Sequence, residues 1–528
     1  MPITRIPLTQ PIETRDGLLN TWAYGAASYG LKVKDSRSVN GYFESSQGKR
    51  EFVKRPGYLL YTNTSGLPSG KTPRGFYQWA FNKNFYIAYD SNTAGTTDIY
   101  TVTTGGSVTL VGNVAGTAHD VNFISTDSAN TYLFFKTTSN AFLIWKAAPT
   151  TITTITLPTG GVGQRLVPGV CFLDGYIAIG DETGRIYTSN VNDPTTWNAL
   201  NYVTAEANPD PLIGIGKHLN YIVAFGSTSI QFLYDAGTSP GSPLAFSLSY
   251  TLETGCINGN TIVPIEQSII WVGASIEQGR GAFMMDGVNP VKISTPYIDR
   301  ILDNDQLNRV YAYSFKYRGH TFYVLTMIVT NVTIVYDVNE KVWTQWTSYS
   351  LGATVDGVST GDPAVYAEQI FRLGFFNNSG TTNTASNSAY YFLDLIDNKI
   401  YVIYSDSLDS NFSASDNGAP IYYRSVTDIV DSGTTKRKFY QRVEIVGDKA
   451  PATLFIRHTD DDYNTWSAYR SVDLNAPRAQ IYQTGAARRR AWEFLCTDNQ
   501  PLRLDAAEID FSVGELEQEG VAPTNYRT

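Results

Sequence analysis

The feature that most limits what this chain can fold into is a repeat. An aromatic and aliphatic strand recurs at Tyr86–Tyr89, Tyr132–Phe135, Tyr176–Ile179, Tyr221–Ala224, Ile269–Val272 and Phe322–Leu325, with starts 46, 44, 45, 48 and 53 residues apart. Each is followed, across a short polar turn, by a partner strand: Asp98–Tyr100, Phe142–Trp145, Arg185–Tyr187, Ile230–Phe232, Phe283–Met285 and Ile334–Tyr336. Each pair therefore makes a hairpin. A period of about 40 to 50 residues, built of short strands with Gly, Asn, Asp and Ser turns, is that of a β-propeller, whose four-stranded blades bury their faces only against their neighbours. The spacing carries this assignment, because no Gly-His and Trp-Asp dipeptide pair recurs with the repeat.

Composition supports an almost entirely β chain. There are 35 tyrosines, 25 phenylalanines and nine tryptophans against four methionines, a balance that suits pleated, half-buried surfaces. With 528 residues the chain has room for a large propeller and a smaller domain. The net charge of −9 argues against a protein whose main task is gripping nucleic acid, since that affinity comes largely from Lys and Arg on phosphates. Cys171, Cys256 and Cys496 are odd in number, far apart and set in apolar strands, so they read as small core residues and not as a disulfide or metal framework. The N-terminus, Met1 to Leu8, has no apolar run, and no stretch approaches about 20 apolar residues. A soluble protein that does not use ordinary secretion is expected.

Three segments are expected. Residues 1–57 form an extended N-terminal arm with Pro2, Pro7, Pro11 and Pro56, and Tyr58–Tyr61 directly after it can pair as a blade strand and help close the ring. Residues 58–420 form the propeller, with a seventh candidate hairpin at Tyr390–Leu393 and Lys399–Ile403 behind the low-complexity stretch Asn377 to Thr384, an expected exposed loop. The spacing leaves six or seven blades open. In residues 421–528 the period disappears and arginine rises. Alternation such as Arg442 and Glu444 outward with Val443 and Ile445 inward, together with Leu454–Ile456, Ala491–Leu495 and Glu508–Phe511, predicts a C-terminal β-sandwich.

No residue is assigned a catalytic, cofactor-binding or metal role, and no cofactor is expected. His119, His218, His320 and His458 are widely spaced, with no ligand set beside them. The glycines of Ile213–Gly216 precede a strand and not a helix, so they mark close backbone approach inside a blade and not a phosphate loop. The segment His458 to Ser467 is similar to the Asp-box hairpin of sialidases, yet it occurs once, outside the propeller, and lacks the central glycine. Glycoside cleavage needs two converging carboxylates, and no such pair stands out. Arg488–Arg490 with Trp492 is either a nucleic-acid contact or, as the favoured reading, a solvated strand end or protein interface. Asp286-Gly287 and Tyr336–Asn339 are turn chemistry at blade corners.

The run Ala205-Glu206-Ala207-Asn208-Pro209-Asp210-Pro211-Leu212-Ile213-Gly214-Ile215-Gly216, continuing as Tyr221 to Phe232 through Phe225-Gly226-Ser227, resembles the packaged-DNA stabilisation proteins of short-tailed bacteriophages, the tail hub or nozzle proteins. Met1-Pro2-Ile3, Asp174–Ile177 and Val335–Asp337 with Trp343 are further matches. The resemblance implies a structural virion protein of the phage tail and not an enzyme, assembled in the host cytoplasm. It implies a ring, a homohexamer, below the portal-adaptor protein, with tail fibre or spike and plug proteins as partners. Such a ring retains packaged DNA and forms the channel for genome ejection, contacting double-stranded DNA transiently and without sequence readout. The competing expectation is a glycan-binding or glycan-cleaving propeller of a phage tail. A cellular interaction module is the weaker third, because it leaves the arm and the C-terminal domain unexplained.

Overall fold

The computed structural model describes residues 3–7, 37–46, 49–61, 66–116, 121–126, 131–158, 165–205, 210–238, 241–275, 277, 279–348, 370–376, 389–404, 413–431 and 434–514. Most of the expected arm, 8–36, and the loop Asn377 to Thr384 lie outside the described residues. The chain forms two compact units: 56–341 with 368–413, and 1–55 with 342–367 and 414–528. The units interleave in sequence, whereas the sequence reading takes three consecutive segments.

The first unit holds six small antiparallel sheets and a further antiparallel set of three strands, Val310–Tyr317, His320–Met327 and Val332–Asp337, so the blade number left open by the sequence is seven. The hairpins read from the sequence are the two middle strands of each: Phe85–Asp90 with Thr96–Val102, Tyr132–Lys136 with Ala141–Trp145, Tyr176–Gly180 with Arg185–Thr188, Tyr221–Gly226 with Ile230–Asp235, Ser268–Ser275 with Gly279–Asp286, His320–Met327 with Val332–Asp337, and Ala389–Asp394 with Ile400–Tyr404. These strands are covered on both faces, as at Phe85 to Tyr89, where every side chain is buried. They therefore read as continuous hydrophobic runs.

An inner strand precedes each hairpin: Pro73–Gln78, Asn122–Ser125, Cys171–Leu173, Leu212–His218, Val263–Ile265, Val310–Tyr317 and Leu373–Phe376. Neighbouring inner strands touch from the first blade to the second, and from the third through to the seventh. Blades two and three share a cluster in which Phe134 and Leu143 pack with Ile177 and Ile179. The seventh inner strand touches the first, which completes the ring.

The outer strand of the seventh blade comes from far upstream. Leu59–Leu60 pairs with Val402 and Tyr401, and the Tyr61 amide donates to Ile400 O at 3.0 Å. The Tyr61 ring then meets Phe85 of the first blade and Tyr391 of the seventh edge-on, with centroids 5.6 and 4.7 Å away. Asn398, in the seventh hairpin turn, donates through Nδ2 to Pro68 O and Lys71 O at 2.9 and 2.7 Å. The expectation that Tyr58–Tyr61 helps close the ring is met at these residues.

The second unit contains two sheets around one core. In one, Gly41–Ser46, Lys49–Lys54, Arg503–Val513, Lys438–Gly447 and Gln480–Ala487 lie in that order, and Ile3–Pro7 also pairs with Arg503–Val513. The other joins Val342–Trp346, Arg37–Val39, Tyr423–Val426, Ala491–Cys496, Thr453–Thr459 and Arg470–Asp473. Phe43, Phe52, Val443, Ile481 and Ile509 from the first sheet pack with Tyr423, Leu454, Trp492 and Phe494 from the second. This is a β-sandwich. Residues 37–54, expected as part of an extended arm, thus supply three strands to these two sheets.

A buried charge holds the three chain segments of this unit together. The Arg55 guanidinium forks the Asp416 carboxylate at 2.8 and 2.6 Å and also donates to Thr347 O at 2.8 Å and Asn40 Oδ1 at 2.9 Å. Side-chain exposure is 0% for Arg55 and 2% for Asp416. Asn40 sits at φ 58°, a conformation Asn tolerates better than most residues, and its Nδ2 donates to Thr347 Oγ1 and Tyr422 O. Among the described residues one α-helix occurs, Pro296–Asn304, and no helix is long and apolar enough to cross a membrane.

Two substitutions test this packing. Trp271 is fully buried, stacks on Phe283 and donates through Nε1 to Gly255 O at 3.2 Å; Trp271→Ala should lower the unfolding free energy by about 3–5 kcal/mol. Arg55→Ala leaves the buried Asp416 carboxylate uncompensated and should cost about 3–5 kcal/mol. Urea titration measures both, and near-native midpoints would contradict the packing described.

Candidate functional site

The residues singled out in the sequence are engaged in structure. His218 Nε2 lies 2.5 Å from Gly287 O in the next blade, and His320 Nδ1 lies 2.7 Å from Asp337 Oδ2. The same Asp337 accepts from the amides of Asn339 and Glu340, closing the turn expected there. His119 lies outside the described residues. Among those residues no group of His, Cys, Asp and Glu has metal-holding geometry. Cys171, Cys256 and Cys496 are free and buried, and burial pushes the thiols of Cys171 and Cys256 up to about 12, which removes the thiolate that reactivity requires.

Several carboxylates of the propeller lie at the face where the inner strands begin. Its carboxylates are engaged close to their own blades. Asp90 takes the Arg74 fork at 2.8 and 2.6 Å, and Asp98 takes Lys71 at 2.6 Å. Asp181 accepts from Thr183, the Arg185 amide and Tyr187. Asp305 accepts from Leu307 N and from the amide and hydroxyl of Thr330. Burial pushes the Asp394 carboxyl up to about 6 against the pull of Arg372, whose Nε is 2.8 Å away. A perturbed carboxyl in a cleft is a functional candidate in general, but Asp394 also accepts the Ile396 and Asp397 amides that shape its turn.

A mouth of about 420 Å³ opens on this face among blades two to six, with Lys136, Arg165, Glu182, Asn258, Asn260 and Asn308 on its wall. The Lys136 ammonium donates to Val167 O, and Asn258 Nδ2 donates to Leu307 O at 2.6 Å. Among the described residues its wall carries one carboxylate, Glu182, and presents amides and isolated charges.

The run 205–232 proves to be a device for locking blades. Residues 206–209 lie outside the described residues. Asp210, in the connection into the fourth blade, accepts from the Thr228 and Ser229 amides at 2.7 and 3.1 Å, and from both hydroxyls. It therefore caps the Phe225-Gly226-Ser227 hairpin, and a side chain at Gly226 would strike its carboxylate. Gly214 and Gly216 lie within the inner strand and not before it, which corrects the sequence reading. A Cβ at Gly214 would come 2.7 Å from Ile262 Cδ1, and one at Gly216 2.5 Å from Ile269 Cδ1. Close approach of the fifth blade is the reason for both.

In the sandwich, the segment similar to an Asp-box is a capped turn between Thr453–Thr459 and Arg470–Asp473. Asp461 accepts from Thr459 Oγ1 and from the Thr465 amide and hydroxyl, and these bonds hold its carboxyl down at about 2. Of the basic run, Arg490 is buried, forks Asp460 at 2.7 and 2.8 Å and lies over the Tyr440 ring, and Trp492 is core. Arg488 and Arg489 remain exposed. Sequence reasoning missed Arg55 and Asn40, because single polar residues between strands give no periodic signal.

A sequence profile for the family described as "Bacteriophage P22 Gp10, beta-propeller" matches residues 34–379, more than half of the chain. No curated protein matches. Solved structures similar to the chain include one of S. cerevisiae dbp5 bound to nup159 and gle1, at 8% identity over 70% of this chain and 98% of that chain with a TM-score of 0.37. The N-terminal domain of Nup159 matches at 9% identity over 70% and 98%, with a TM-score of 0.36. Overlaps at this level carry no argument about what the chain does.

Asp210→Ala should cost about 1.5–3 kcal/mol in unfolding free energy, since two amides and two hydroxyls lose a charged acceptor; an unchanged urea midpoint would contradict the locking role. His458 gives a pH test. Burial and Arg490 lower its pKa from 6.5 to about 4, so between those values the unfolded chain binds more protons and stability falls as pH falls. The stabilisation from Asp461 is complete above about 3.8 and is lost only as pH falls from there towards about 2, outside this window. His458→Gln should flatten the profile between pH 6.5 and 4 in urea titrations; a slope equal to that of the parent would assign it to other groups.

Proposed function

The chain belongs to the family described as "Bacteriophage P22 Gp10, beta-propeller", and from that membership we propose that it forms the ring of a phage tail through which the packaged genome is retained and then released. Membership makes it a phage structural protein associated with the virion. The finer reading places six copies below the portal adaptor, as tail hub or nozzle, with fibre, spike and plug proteins around them. It assigns no catalytic role.

The family match over 34–379 is the observation that carries the reading. Two physical features support it. Carboxylates at the blade corners are taken up in holding turns and inter-blade connections, as expected of a wall element that must not deform. Six copies at −9 each would carry about −54 in total, screened by salt, which favours a conduit along which DNA slides without adhering.

Negative-stain imaging of the intact particle, with a tag on Thr528, tests the proposal. A label in a ring beneath the portal, at six per particle, is the expected result. A label on peripheral spikes, or none on the particle, would contradict it and direct attention to glycan binding.

A further inference from the structure

In the sandwich unit nearly every described arginine side chain is engaged. Arg424 and Arg457 share Glu493, Arg442 takes Glu444 and Asp510, Arg478 takes Glu444, and Arg503 takes Asp448 and Glu51. Arg55 takes Asp416, Arg489 takes Asp462 and Arg490 takes Asp460. Arg470 donates to Tyr482 O, Arg50 lies over Phe43, and Arg37 also has a partner. The exceptions among the described residues are Arg437 and Arg488, both exposed. They line the same cleft, of about 690 Å³, together with Asp431, Thr435, Asp460, Ala486, Ala487 and Arg489.

The backbone is fixed at the points from which both free arginine side chains project. Arg437 immediately precedes the strand Lys438–Gly447, and its carbonyl accepts the Gly514 amide at 2.8 Å. The buried Lys438 donates to Thr434 O and Lys436 O, tying down the approach to it. Arg488 follows Gln480–Ala487 and leads to the anchored Arg490. The cleft thus offers two unengaged planar forks on a rigid rim. Its own wall shows what such forks take, since Arg490 holds the Asp460 carboxylate through two parallel bonds at 2.7 and 2.8 Å, the geometry that guanidinium and carboxylate share.

We propose that this cleft is a docking site for a carboxylate-rich segment of a partner polypeptide, gripped by Arg437 and Arg488. Charge favours that occupant over duplex DNA. Backbone binding draws on cations spread along many phosphates, whereas this cleft offers two free arginines side by side. An acidic peptide needs only the two forks. The docking site and the tail ring do not depend on each other, so either can fail alone.

The test is titration of the full chain into fluorescein-labelled octaglutamate at low salt, followed by anisotropy. Saturable binding that weakens as salt rises is expected, with loss of about tenfold or more in the R437A/R488A double variant and no change in its thermal unfolding. The R437K/R488K variant keeps charge and loses the fork, so it should bind more weakly than the parent and better than the alanine variant. A short DNA duplex should fail to displace the peptide. Absence of binding, equal binding by the alanine variant, or tighter duplex binding that needs the same two arginines would each overturn the assignment.

Discussion

A blade of a propeller cannot stand alone, because both faces of its middle strands are apolar and each is covered only by a neighbouring blade. The ring must therefore close, and closure rests on a strand of two residues. Leu59–Leu60 pairs with Tyr401 and Val402, so the start of the propeller sequence is stitched to its end. Tyr61 extends the stitch sideways by packing between Phe85 and Tyr391. Opposing it is the entropy of closing a very long loop, which grows only slowly with length. Against that stands the burial of the first and seventh blades against each other, where Phe76, Phe85, Ile87 and Tyr89 meet Leu393 and Ile400.

The same pattern of local connection runs through the polar groups. Asp210, Asp305 and Asn398 each tie a hairpin turn to a connecting segment with side-chain bonds, and Asp394 shapes its own turn. The stretch 205–232, on which the sequence resemblance is argued, contains two such features: the Asp210 cap and the paired glycines that admit the fifth blade. These are residues of architecture, in keeping with a structural protein of the virion.

What can be read from the sequence follows burial. The middle hairpins, covered on both faces, give dense apolar runs, and all seven of them are legible. Several inner strands are short, as Asn122–Ser125, Cys171–Leu173 and Val263–Ile265 are, two are interrupted by Gly75, Gly214 and Gly216, and outer strands such as Val108–Ala115 are largely exposed, with Val114 the one buried side chain. Strands of these kinds carry a weak periodic signal, which is why the spacing alone leaves six or seven blades open. The strands of 37–54 are masked by the neighbouring prolines and read as arm, although Phe43 and Phe52 pack into the sandwich core. At the candidate sites the failure is one of partner knowledge. Arg488–Arg490 looks uniform as a run, yet Asp460 and Tyr440 bury one arginine and leave another free.

Hydrogen exchange by mass spectrometry on the full chain addresses the closing strand most directly. If Leu59–Tyr61 seals the ring, amides there and in Ile400–Tyr404 should exchange together, as slowly as those of the middle strands Phe85–Asp90 and Tyr221–Gly226. Fast exchange at Tyr61 alongside protected middle strands would mean that the ring holds without its stitch, and would contradict closure by Leu59–Leu60.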